Sequence, residues 1–288
     1  MIKRTVLALL VLSAGLYAQE FRATLSGTVT DPSGGAIPNA TVKAVNTAVN
    51  STSETKTSSE GLYTIPLLQP GVYNVEITAS GFQTLRREAI TLAVGQKLNL
   101  PIRLTVGQMS QEVTVTGQQE QIESADASRG LVFDPTKTQE YPLNGRQSYM
   151  LLSLTPGMIF TQEQFGASGF SGTRGWDVNA SYKFNGARGG NGNNVFMMNG
   201  TAISDNGSQW EFAPSVDAIQ EFSAMTTVYD AQYGHEAGGV VNTVIKGGSS
   251  AWHGTVYDYF RNAVLDANNF GNNYAGAKKG NHQQNQFG

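Results

Sequence analysis

The sequence predicts a mainly β protein in three successive parts, and three observations lead there. Between positions 25 and 106, short alternating runs recur about every ten residues, the spacing of an all-β sandwich. Charged residues make up only 14% of the chain and glycine numbers 33, a composition suited to strands and loops rather than long surface helices. Further on, Val240–Ile245 and Trp252–Phe260 form two strand-like runs around the flexible bend Lys246-Gly247-Gly248-Ser249-Ser250.

The first residues are a targeting segment. Lys3-Arg4 supply a short basic region, Val6–Leu12 an apolar core and Leu16-Tyr17-Ala18 a cleavage site, so residues 1–18 are expected to be a secretory signal peptide. The apolar core is too short for the ~30 Å of hydrocarbon that an anchor has to cross. No later stretch approaches ~18 consecutive apolar residues, so a membrane segment downstream would have to be a β-strand.

Residues 20–106 carry the sandwich pattern. Its runs are Leu25–Val29, Ala40–Val45, Gly61–Ile65, Val72–Ala79, Ile90–Val94 and Leu98–Val106. In the last, Leu98, Leu100, Ile102, Leu104 and Val106 share one face and predict a core stripe. Asp31-Pro32-Ser33-Gly34-Gly35, Gln69-Pro70-Gly71 and Ser80-Gly81 supply the turns, and Pro32, Pro38, Pro66 and Pro70 fall at run ends or edges. Seven strands or a similar number are expected. The wording GTVTDPSGGAIPNATVKAVN and then EGLYTIPLLQPGVYNVEITASGF resembles the carboxypeptidase-regulatory-like, transthyretin-like sandwich. That fold is grouped with carbohydrate-binding-like sandwiches, a relation that implies shape rather than sugar binding. Tyr63, Tyr73 and Phe82 are accordingly expected in the core or at corners.

Residues 107–127 are polar and glutamine-rich, the signature of a linker. One β-prone island interrupts them: Glu112, Val113, Thr114, Val115, Thr116 and Gly117. Two readings stay open for it. An extended peptide of this kind is captured at the sheet edge of a partner through backbone bonds, or it is the sandwich's own last strand.

From 128 to 248 the pattern turns mixed. Asn144 is placed to cap a short helix through Arg146–Leu154, ended by Thr155-Pro156-Gly157. Residues 161–192, dense in Gly, Ser and Asn, read as surface loops. Residues 194–200 (NVFMMNG) read as a strand and turn, and Ser215 as the cap of a second short helix with Val216, Ile219 and Phe222 on one face. The aromatic run Trp252–Phe260 is about the length of one tilted bilayer strand. On residue chemistry alone an ordinary soluble edge hairpin remains equally open.

Resemblance adds direction. YDAQYGHEAGGVVNTVIKGG, then WHGTVYDYFRN and LDANNF, together resemble the plug-to-barrel junction of TonB-dependent outer-membrane receptors of the Oar-like kind. Tyr141–Arg146 and Leu151–Gly157 resemble the opening plug pattern of that family. Where the family carries Asp-Gly this chain has Asn199-Gly200, which keeps the turn and loses a charge. The resemblance implies a mixed α/β plug domain over 128–248 and the first strands of an incomplete transmembrane β-barrel over 252–288. It implies that Glu112–Gly117 is a TonB box for a TonB-type periplasmic energy-coupling protein, with the sandwich in the periplasm and the full-length protein in outer-membrane lipid. Trp176, Tyr182 and Trp210, in plug-like loops, become candidate contacts to an unidentified ligand. A plugged barrel of ~22 strands needs several hundred more residues, so the chain is expected to be an N-terminal fragment.

Other chemistries lack their residues. A net charge of −3 without a basic cluster gives no nucleic-acid footprint. Cysteine is absent, which excludes thiol nucleophiles and zinc–thiolate sites. No nucleophile elbow, Walker loop or dinucleotide fingerprint occurs, and His235, His253 and His282 lack metal-ligand spacing. No enzyme activity, metal or cofactor is expected. The competing functional class is a secreted or cell-surface sandwich module for adhesion or binding, carbohydrate included.

Overall fold

The computed structural model describes residues 21–107, 112–115, 129–141, 148–160, 182–184, 194–204, 214–227, 238–268, 270–281 and 283–288, with 143, 146 and 233. The described residues are mainly β, in two sandwiched sheets followed by a mixed sheet and a hairpin.

Eight strands form the first unit: β1 (Ala23–Thr30), β2 (Thr41–Asn46), β3 (Thr52–Lys56), β4 (Leu62–Leu68), β5 (Gly71–Thr78), β6 (Thr84–Leu92), β7 (Lys97–Asn99) and β8 (Ile102–Arg103). One sheet runs β4-β1-β7 with β8 also on β1, and the other runs β3-β2-β5-β6. Burial alternates strictly along β1, as expected of a strand with one face on the core. Leu25, Val42, Ile77, Leu92, Leu98, Ile102 and Leu104 are all sealed in that core. Tyr63 and Tyr73 join it as expected, their hydroxyls donating to the carbonyls of Leu100 (2.7 Å) and Gln69 (2.8 Å).

Three details depart from the sequence reading. The run 98–106 is not one strand: Pro101 divides it into β7 and β8, and Val106 leaves the stripe, 66% exposed. Pro66 sits inside β4 rather than at its end, on the edge strand of its sheet, where a missing N–H is tolerated. The ladder shifts register there, with Ala23 opposite Leu68 and Leu25 opposite Ile65, and Leu67 turns to φ 62° in the bulge. The third departure is β3, TSETK, which has no apolar residue to announce it and lies at a sheet edge on β2.

Gly27 shows how tightly the sheet is closed. A Cβ there would lie 2.2 Å from the Leu100 carbonyl oxygen and 2.9 Å from the Tyr63 ring. Gly27→Ala is therefore expected to destabilise the sandwich by about 1–3 kcal/mol, the usual cost of overpacking. Gly254→Ala, which meets nothing within 4 Å, is the neutral control in urea unfolding.

The second unit is a five-stranded mixed sheet in the order β10 (Arg129–Phe133), β15 (Ile219–Thr227), β16 (Val240–Ile245), β13 (Val195–Met198) and β14 (Thr201–Ala202). Only β13–β16 is parallel. β16 is central and buried through Val244, so it reads as a continuous run, without alternation. Phe133 and Phe222 stack with centroids 4.5 Å apart, and Leu151, Leu152, Phe184 and Phe196 close the core around them. The segment after Ser215 is corrected from helix to strand. Ser215 caps a three-residue 3₁₀ turn, Val216–Ala218, and β15 begins at once. Likewise Ser148–Leu154 is a 3₁₀ helix, with Asn144 outside the described residues. A short helix not foreseen, α1 (Pro135–Glu140), is capped by Asp134, which accepts from the Lys137 N–H at 2.9 Å. Asn199 and Gly200 both take positive φ (48° and 78°), so the β13–β14 turn forms where the sequence placed one. β11 (Met158–Phe160) and β12 (Tyr182–Phe184) form a separate pair.

The last part is a hairpin of β17 (Asp258–Asn262) and β18 (Gln283–Phe287), with a helical turn α2 (Phe270–Tyr274) in the connection. Strand structure starts at Asp258 rather than at Trp252. Trp252 and Val256 are fully or nearly fully exposed.

Candidate functional site

The segment Glu112–Val115 is an extended strand, β9, and it lies on the sandwich. It pairs in parallel with β6, Thr84 opposite Glu112 and Arg87 opposite Val115, as the last strand of the five-stranded sheet. Four residues of edge pairing are weakly held, at about 0.5–1.5 kcal/mol net for each hydrogen bond. Thr116 and Gly117 lie outside the described residues. Thus the sandwich-strand reading describes where the segment rests, without excluding capture by another chain.

A second cluster joins the mixed sheet to the hairpin. Arg146, held at φ 54° in a turn closed by its N–H to the Leu143 carbonyl (3.1 Å), points its guanidinium at three groups. Nη2 donates to Asp217 Oδ2 at 2.7 Å, and the guanidinium carbon lies 3.6 Å from the Tyr259 ring centroid and 5.6 Å from that of Tyr257. Asp217 is held by the Ser215 hydroxyl at 3.2 Å, and that hydroxyl lies 3.3 Å from the Tyr257 hydroxyl. Both side chains of the ion pair are largely covered, so the charge is shielded from solvent and the cation–π contact is strengthened. Sequence reasoning singled out neither Asp217 nor the pairing. The one visible signal was period 2, which puts Tyr257, Tyr259 and Arg261 on the same strand face.

A third feature lies between sandwich and mixed sheet. Gln220 Nε2 donates to the Pro70 carbonyl at 2.9 Å and the Ser250 N–H to that of Ala48 at 3.1 Å. Beside them opens a cleft of about 1210 Å³ lined by Asn46, Pro70, Asn199, Gln220, Lys246 and Trp252. Glu221, on β15, is 8% exposed at this junction. Burial pushes its carboxyl up to about 7, opposed by the Val94 N–H that donates to it and assisted by the negative charge of Asp134. Asp134 is itself paired to Lys137 at 2.9 Å. The raised value fixes the sign of the pH effect. Folded Glu221 keeps its proton better than the unfolded group at 4.5, so its contribution is complete below about pH 4.5 and declines as pH rises to about 7. The loss amounts to on the order of 3 kcal/mol. Glu221→Gln is expected to remove that slope, measured by urea unfolding at pH 4.5 and pH 8.

Trp176 and Trp210 lie outside the described residues, and Tyr182 stands in β12 opposite Phe160. Among the described residues no group of three or more His, Asp or Glu is placed to hold a metal ion.

Two family models and one curated relative match the chain. Residues 24–105 match the carboxypeptidase regulatory-like domain, and residues 244–288 match an outer membrane beta barrel domain. The chain is also similar to the TonB-dependent transporter Oar of Myxococcus xanthus, 24% identical over 272 residues. That alignment covers 91% of this chain and 24% of the relative, so the chain spans about a quarter of the curated relative's length. Among solved structures, the Bacillus anthracis TIE protein aligns at TM-score 0.26, 17% identity, over 30% of this chain and 17% of that one. A type II cohesin–X-dockerin complex of Acetivibrio cellulolyticus aligns at TM-score 0.25, 22% identity, over 30% and 60%. The two domain matches and the transporter match fit an Oar-like TonB-dependent receptor, as the sequence resemblance implied, and support an outer-membrane location.

Proposed function

We propose that the chain is the N-terminal part of a TonB-dependent outer-membrane receptor that takes up an unidentified ligand using energy from the inner membrane. In this reading residues 1–18 direct export, 20–106 form a periplasmic sandwich and 107–127 carry the coupling segment Glu112–Gly117. Residues 128–248 then plug the pore, and 252–288 begin its wall.

The observation that carries the reading is the Arg146 cluster. The plug-like unit reaches the hairpin through Tyr257 and Tyr259, which share one face. Phe260, on the opposite face, is 60% exposed, as is Phe287 across the ladder at 79%. A barrel strand requires this asymmetry, with one face to the lumen and its plug and the other to lipid. The adhesion-module alternative leaves the beta-barrel match unexplained. Expression of the whole gene tests the reading. The receptor is expected in outer-membrane fractions, with uptake of its ligand, sought among siderophores, glycans and peptides, collapsing when the proton gradient is dissipated. Gradient-independent entry, or a secreted soluble product, would exclude it.

A further inference from the structure

We propose that the outer edge of β6 is a docking site for the receptor's own coupling segment, which is stored there as β9 until the periplasmic partner removes it. The inference rests on the reading of Glu112–Gly117 as the coupling peptide, and adds what regulates its availability.

The geometry comes from the sandwich's exit. The Gln83 N–H donates to the Thr105 carbonyl at 2.9 Å and the Gly107 N–H to that of Gly81 at 3.1 Å, so the chain leaves the sandwich beside the start of β6. Gly107 is fitted to this exit, since a Cβ there would lie 2.5 Å from the Gln83 side chain. Only residues 108–111 separate this anchor from Glu112, and β9 then runs along β6 with Glu112, Val113, Thr114 and Val115 opposite Thr84, Leu85, Arg86 and Arg87. Without β9, β6 would be a bare edge strand. Backbone pairing is what a strand-adding partner also uses, so the edge of the segment that faces β6 is already occupied. A tether of so few residues gives the docked segment a high effective concentration, and a partner in solution competes against it. The hold is short enough to be reversible: four residues, at the end of a sheet.

The 288 residues contain no cysteine, which allows a clean lock. In the full-length receptor freed of any other cysteine, Arg86→Cys with Thr114→Cys joins two register partners; Thr84→Cys with Thr114→Cys is the off-register control. The probe is the purified periplasmic domain of the TonB-type protein, its binding measured on receptor in detergent before and after reduction. The on-register pair is expected to oxidise readily, the oxidised receptor to bind the probe at least tenfold more weakly, and reduction to restore binding. Equal binding by oxidised and reduced receptor would overturn the proposal, because the partner would then be adding to the open edge of β9. Oxidation no faster than in the control would overturn it too, because the strand would not rest on β6. A receptor lacking 112–117 separates the two claims. Loss of probe binding upholds the coupling-peptide reading whatever the lock does, and unchanged binding removes that reading itself.

Discussion

Deleting Glu112–Gly117 from the full-length receptor is expected to abolish energised uptake while membrane insertion and ligand binding survive. The expectation follows from how an extended segment transmits force. Its affinity for a sheet edge comes from backbone groups, so it depends on a short stretch of chain that is both present and free to extend. The ladders of the mixed sheet and the hairpin do not depend on it, since among the described residues β9 pairs with β6 of the sandwich. Ligand binding, which on this account involves the plug and the extracellular loops, should change less than twofold. Uptake should fall to the level seen with the proton gradient dissipated, a loss of at least tenfold. Fluorescent or radiolabelled ligand uptake beside equilibrium binding on the same cells makes the measurement. Retained energised uptake would place the coupling segment elsewhere in the chain.

The second large effect is expected at Arg146. Replacing it by alanine removes a cation–π contact worth about 0.5–2 kcal/mol and a charge-assisted bond to Asp217 worth about 1.5–3 kcal/mol. It also leaves the Asp217 carboxylate without its partner, so losses of about 2–4 kcal/mol are expected in the hold between plug and wall. Arg146→Lys keeps the charge but not the planar stack on Tyr259, and should lose about half as much. Urea-dependent release of the plug, followed by protease sensitivity within 128–248 of the full-length receptor, reads the effect. In a double-mutant cycle Arg146→Ala and Tyr259→Ala should couple by about 1 kcal/mol. Strict additivity would mean that the ring contact contributes nothing.

The sandwich was the most legible part of the sequence, because strands such as β1 and β5 have one face on a core and alternation follows. β3 was invisible for the complementary reason: TSETK has no apolar residue and no fully buried one, and lies at a sheet edge in a ladder with β2. At β15 the spacing of Val216, Ile219 and Phe222 matched a helical face, and pairing with both β10 and β16 decided for strand. Local pattern cannot see a neighbour supplied by distant sequence. The same limit hid the site. Arg146 was read as part of a helix, and its partners Asp217 and Tyr259 come from elements far along the chain. The buried carboxylate of Glu221 likewise reveals itself only once β15 meets the turn at Val94. For the coupling segment, the sequence offered both a partner-captured peptide and a sandwich strand, and β9 on β6 shows that the second is compatible with storage of the first.

The most direct test concerns the two faces of β17. Single spin labels at Val256, Phe260 and Phe287, and at Tyr257, Tyr259 and Arg261, can be compared in the full-length receptor reconstituted in lipid, by collision with oxygen and with a polar nickel complex. The first set is expected to collide with oxygen as lipid-facing sites do, and the second to be shielded from both reagents by the plug. Equal access of the nickel complex to both sets would mean a hairpin standing in water, and would contradict the account.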